Sequence, residues 1–174
     1  MQSYSIRIPA KPYIAKFAAR RYGLPVAINN SNALSALIRG LLHKPGFDIK
    51  HSTVKENLRL KYFTGHILCE APLSQMPQIG YALTTDHIIQ INAFLEEDFK
   101  ERLQLFVAKT ANWEARRSGI DQAIEAFAAY YSIQLEEEIT FDGLKKMEYR
   151  ARTAPGRQSF PTKISMAAHY IHIL

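Results

Sequence analysis

The residues of this chain best suited to chemistry are cations set among aromatics at helical spacing. Lys145, Lys146, Tyr149, Arg150 and Arg152 fall on one side of a predicted helix over residues 140–152, opposite Phe141, Leu144, Met147 and Ala151. A cationic helix face with an aromatic among the charges suits a phosphate backbone or the edges of bases. Lys16 and Arg20, together with Tyr13, repeat the theme on a predicted N-terminal helix, and Arg7 and Lys11 precede it on a stretch that reads as extended. An arm of that kind can follow a groove or a backbone. The plainer reading of either helix is a solvated polar face on an amphipathic element.

Other chemistries find less support. His169 and His172 stand three apart, but Cys69 is distant and the tail around them has no acid, so neither a metal nor a cofactor is expected. No glycine-rich phosphate loop is present, and no Gly-x-Ser-x-Gly nucleophile turn. Glu96, Glu97, Asp98 and Glu101 lie on the outer faces of a predicted long helix, where solvation explains them. Cys69 sits in an apolar strand candidate and reads as core; a single thiol excludes an internal disulfide. The expectation is a protein that is not an enzyme.

The net charge of +6 conceals a division along the chain. Residues 1–61 carry eleven Lys and Arg against Asp48 and Glu56. Residues 62–142 carry five against thirteen acids, and residues 143–174 carry six against Glu148. Such segregation either focuses potential on one surface, where it attracts polyanions, or folds so that the two signs cancel. The apolar runs are only a few residues long, too short to span a membrane. Met1 to Tyr13 lacks the apolar run of an export signal, so a cytoplasmic location is expected.

The elements that must position these residues follow from periodicity and punctuation. Ser3 to Ile8 alternates and reads as a strand ended by Pro9. Pro12 opens a helix that Gly23 closes; Ser31 or Asn32 caps the next, whose stripe is Leu34, Leu37, Ile38, Leu41 and Leu42, before Lys44-Pro45-Gly46. Leu58, Leu60 and Tyr62 alternate with Arg59 and Lys61 as a strand, and Gly65 turns the chain into another, Ile67-Leu68-Cys69, ending before Pro72. From Thr85, Ile88, Ile91, Leu95, Phe99, Leu103 and Phe106 mark one stripe of a helix reaching about residue 112, roughly 40 Å long. That length suggests a second subunit packed on part of it, hence a homodimer. Ser118 caps a further helix with Ile120, Ala123, Ile124, Phe127 and Tyr131 inward, and Thr140 caps the last, with Asp142 in its first turn.

The last two helices, carrying Ala123-Ile124-Glu125-Ala126-Phe127, Tyr130-Tyr131-Ser132-Ile133 and Thr140-Phe141-Asp142-Gly143-Leu144-Lys145-Lys146, resemble a helix-turn-helix of the kind phages and mobile elements use on DNA. The link is longer than the usual three to four residues, and Glu136-Glu137-Glu138 repels phosphate unless it faces away. The fold expected is α+β: a helix-rich single domain over 1–152 with four or five helices, one long and central, and a small sheet. The helix-turn-helix-like unit occupies 119–152, and 153–174 forms a C-terminal tail or docked arm. The expected function is non-enzymatic nucleic-acid binding, duplex DNA favoured, by a regulator or accessory protein of a phage or mobile element. The alternative is an assembly module that docks a partner on the long helix.

Overall fold

The structure, a computed structural model, describes residues 3–42, 60–75, 80, 82–112 and 117–153. Alternation in the first strand places Tyr4, Ile6, Ile8 and Ala10 on one face and Ser5, Arg7 and Pro9 on the other. This strand, β1 (Ser3–Ala10), runs through Pro9 rather than stopping there. It lies at an edge of the sheet, where proline is tolerated, and the Pro9 carbonyl accepts a hydrogen bond from Asn92 Nδ2 at 2.9 Å. Helix α1 (Pro12–Tyr22) begins with its proline and ends at Gly23, whose φ of 79° is open to a residue without a Cβ. A two-residue strand, β2 (Val26–Ala27), has no periodicity and escapes sequence reading. Helix α2 (Ala33–Leu41) opens with a reciprocal cap: the Asn32 carboxamide accepts from the Ser35 amide at 2.8 Å, and Ser35 Oγ accepts from the Asn32 amide at 3.3 Å.

Strand β3 (Gly65–Pro72) lies between the other two, antiparallel to β1 and parallel to β2. Its register opposes Ile8 to Ile67 and Ile6 to Cys69, so the apolar faces of both strands coincide. The strand expected from Leu58 to Tyr62 is not formed where the chain is described. Residues 60–62 make a turn closed by the Phe63 amide on the Leu60 carbonyl at 2.9 Å, and Tyr62 is 71% exposed. The alternation there is genuine, but β1 and β2 already occupy the two edges of β3. Leu58 and Arg59 lie outside the described residues, as do the Lys44-Pro45-Gly46 stop, the tail 154–174 and its two histidines.

Helix α3 (Thr85–Thr110) is the long central helix, about 39 Å at the standard rise. The Thr84 hydroxyl accepts from the His87 amide to cap it. Helices α4 (Arg117–Tyr130) and α5 (Phe141–Thr153) complete five helices among the described residues, and the architecture is α+β with a three-stranded sheet. Helix α4 starts one residue before the expected cap Ser118, which therefore lies inside its first turn. The start of α4 approaches the end of α3 so closely that a Cβ on Gly119 would stand 2.0 Å from the Asn112 carbonyl oxygen.

The stripe expected on α3 is the centre of the core. Ile91, Leu95, Phe99 and Leu103 are fully buried, covered by α1, α2, α4, α5 and β1. Around Phe99 the rings of Tyr13, Phe17 and Phe127 stand at 5.2, 5.3 and 5.3 Å, each edge-on. Tyr13 belongs to this cluster and not to the basic face of α1. It stands four residues before Phe17, so it shares the inward side as readily as the side of Lys16. The middle of that stripe, Ile91 to Leu103, is covered by elements of the same chain. Replacing Phe99 by Ala removes the ring through which α1 and α4 pack on α3 and should lower the unfolding free energy by about 3–5 kcal/mol. Urea unfolding followed by circular dichroism measures the loss.

Candidate nucleic-acid interface

The surface around α5 is set by how α4 ends and α5 begins. Helix α4 stops in a Schellman turn: Ser132 takes φ 56°, its amide reaches the Ala129 carbonyl at 3.0 Å, and the Ile133 amide reaches Ala128 at 2.8 Å. Ile133 is buried, which anchors the exit of the chain. Ten residues separate the helices, longer than a compact helix-turn-helix link, and they carry a bridge between Leu135 and Ile139. At the start of α5, Thr140 Oγ1 accepts from the Gly143 amide at 3.1 Å and Glu136 Oε1 accepts from the Phe141 amide at 2.9 Å. Glu138 accepts from the Gln134 amide at 3.1 Å. Two of the three acids in the link are therefore bound to backbone amides.

The cations of α5 divide into two groups. Lys145 Nζ lies 2.6 and 2.9 Å from the two carboxylate oxygens of Asp121 on α4. Arg152 Nε lies 3.0 Å from Oε1 of Glu148, a carboxylate only 3% exposed, one helical turn earlier. Lys146 and Arg150, by contrast, are exposed and have no acid partner among the described residues. With Tyr149, 57% exposed, and Thr153 they form a stripe at intervals of three, one and three residues, hence one outward face. A cleft of about 410 Å³ runs here, lined by Ile120 and Asp121 of α4 and by α5 residues that include Asp142, Lys146, Tyr149 and Arg150.

The two cations expected on α1 behave differently again. Lys16 Nζ stands 2.8 Å from Glu138 Oε1 and donates to the Ser132 carbonyl at 2.8 Å, so it ties α1 to the link between α4 and α5. Arg20 remains exposed, its guanidinium 4.6 Å over the ring of Tyr130. Lys11 pairs with Glu96, and Arg21 lies 3.6 Å from Asp98. The basic N-terminal segment and the acidic middle thus meet and cancel over much of α1, while the outward stripe of α5 keeps its charge. Sequence reading missed the partners Asp121 and Glu138, which lie 24 and 122 residues from their lysines. No local pattern signals contacts at such separations. It also placed Arg152 on a free face, although the Glu148–Arg152 spacing of four is itself an ion-pair signal.

Burial pushes the Cys69 thiol up to about 12, so it stays protonated and inert among its apolar neighbours. Among the described residues no group of three or more His, Cys, Asp or Glu is placed to hold a metal ion. No described helix is long and apolar enough to cross a membrane. No family model, curated protein or solved structure matches this chain.

The Lys16–Glu138 pair is half-exposed on the lysine side, and pairs of that kind contribute about 0.2–1 kcal/mol. A double-mutant cycle with Lys16→Ala and Glu138→Ala should return a coupling energy in that range, read from urea midpoints. Lys16 is then a stability residue, and its loss should leave polyanion affinity unchanged.

Proposed function

We propose that this protein is a non-enzymatic DNA-binding protein acting in the cytoplasm, and that the outward stripe of α5 is its contact surface. The observation that carries this reading is the pairing pattern on α5. Lys145 and Arg152 are tied to Asp121 and Glu148, whereas Lys146 and Arg150 flank an exposed Tyr149 with no acid within 4 Å among the described residues. From Lys146 to Thr153 the stripe extends about 10 Å along the helix axis, comparable with the roughly 12 Å width of the major groove of B-form DNA. A lysine and an arginine four residues apart suit phosphates on the groove wall or a guanine edge, and the tyrosine hydroxyl suits a phosphate oxygen.

Support comes also from the link that precedes α5. Two of its three acids, Glu136 and Glu138, are turned to backbone amides and to Lys16, so the link repels an approaching phosphate less than three free carboxylates in sequence would. The arrangement is in keeping with the helix-turn-helix regulators of phages and mobile elements that the sequence resembles. A second copy of the chain is not needed for this contact.

Duplex DNA titrated against salt tests the reading. The expected result is binding at low salt that weakens steeply as salt rises, with the Lys146→Ala, Arg150→Ala double variant losing about 1.8 from the slope of log affinity on log salt. Lys16→Ala should keep the wild-type slope. Absence of binding at low salt, or an unchanged slope in the double variant, would sink the proposal.

A further inference from the structure

A second cationic cluster forms where α1, α3 and α4 meet. Arg20 and Arg21 come from the last turn of α1, Arg102 from the middle of α3, and Tyr130 from the end of α4. Asp98 is the acid that Arg21 and Arg102 share. Its carboxylate accepts the Tyr22 hydroxyl at 2.6 Å, and its nearest approaches to Arg21 Nε and Arg102 Nε are 3.6 and 3.9 Å. Those two distances exceed hydrogen-bond range, so the guanidiniums are gathered by the carboxylate without being bound to it. Their side chains remain 37% and 40% exposed. Arg20 has no acid partner among the described residues and lies over the Tyr130 ring. Two guanidiniums therefore stand within 4 Å of one anion whose closest donor is a phenol, and Arg20, next to Arg21 in the chain, carries a third positive charge over the Tyr130 ring. Burial first, and the bond to Asp98 second, hold the Tyr22 hydroxyl well above its ordinary range, so it remains the donor that occupies Asp98.

A simpler account covers part of this. Arginines in the last turn of a helix are favoured by its dipole, which explains Arg20 and Arg21 on α1. Arg102, eight residues before the end of α3, stands one turn beyond Asp98 at ion-pair spacing, yet at 3.9 Å the contact falls short of a hydrogen bond. Gathering like charges costs free energy unless an anion offsets it. We infer that Arg20, Arg21 and Arg102 form an anion site that takes a phosphate group. Planar guanidiniums donate to tetrahedral phosphate oxygens in paired fashion, and the exposed Tyr130 ring beside Arg20 gives the group's substituent an aromatic surface. On α4, Tyr130 stands nine residues beyond Asp121, half a turn round the helix, so the cluster faces away from the cleft beside α5. The inference therefore stands apart from the α5 reading. The phosphate is either a small phosphate compound or one phosphodiester of a nucleic-acid strand.

The test titrates inorganic phosphate and pyrophosphate into the full chain at constant ionic strength and follows the thermal midpoint. Phosphate should raise it above a chloride control, and Arg21→Gln with Arg102→Gln should abolish the rise. Asp98→Asn removes the competing charge and should tighten phosphate binding about threefold, the equivalent of one half-exposed charge pair. This arm decides the matter if the arginine variant fails to fold. Lys146→Ala with Arg150→Ala should leave the phosphate response intact, so loss of DNA binding through α5 and loss of this site are read separately. A single-stranded oligonucleotide then identifies the source. If it displaces phosphate and the arginine variant loses about 1.4 from its salt slope, the phosphate belongs to a strand; if it does not compete, the ligand is a small phosphate. A phosphate response equal to that of chloride overturns the inference. So does an unchanged response in the arginine variant, or weaker binding in Asp98→Asn.

Discussion

The structure depends on the burial of one stripe of α3. Phe99 stands at its middle, and the rings of Tyr13, Phe17 and Phe127 bring α1 and α4 to it edge-on. The sheet joins through Asn92, whose carboxamide bridges the Pro9 carbonyl of β1 and the Ile88 carbonyl of its own helix. Helix α2 packs on another part of α3, and α5 closes the arrangement through Leu144. Each of the other helices has a single apolar side, and α3 is the element long enough to receive them all. A 39 Å helix in a domain of this size is accounted for by that duty.

Once the helices are seated, the charges follow. The N-terminal segment is basic and the middle is acidic, and packing α1 on α3 and on the α4–α5 link brings the two signs together at Lys11–Glu96 and Lys16–Glu138. These pairs are partly exposed, so their energetic contribution is small, but they settle which cations remain to face outward. What remains is uneven. Helix α5 keeps Lys146 and Arg150 exposed with no acid partner among the described residues, and where α1, α3 and α4 meet, Arg21 and Arg102 share Asp98 while Arg20 lies over Tyr130. The two surfaces lie on opposite sides of α4.

The link between α4 and α5 shows the same economy of acids. A run of three glutamates would ordinarily be a solvated, repulsive segment. Here Glu136 serves the first turn of α5, and Glu138 serves both the Gln134 amide and Lys16. The positive φ angles at Ser132 and Glu136 turn the chain sharply enough for those side chains to reach back. The link's length, which departs from the shortest helix-turn-helix connections, is what gives room for these contacts.

The local content of the fold was legible in the sequence because it rests on short-range physics. Pro12 and Gly23 bound α1, Asn32 caps α2, Thr140 caps α5, and the stripe from Ile88 to Phe106 marks α3, all from interactions within a few residues. The alternation of Ser3 to Ile8 and the apolar run Ile67-Leu68-Cys69 marked β1 and β3, although β1 runs on through Pro9 and β3 takes in both Gly65 and Pro72. Pairing was not. Whether the alternating residues 60–62 became a strand depended on whether an edge of β3 was free, which the order of the sheet decides. Whether Tyr13 faced solvent or Phe99 depended on the docking angle of α1. The sequence alone determined which residues carry positive charge and which helices bear them. Only the tertiary structure decided that Lys16, Lys145 and Arg152 are answered by acids while Lys146 and Arg150 are not, because most of those acids lie on other elements and reach the cations through packing.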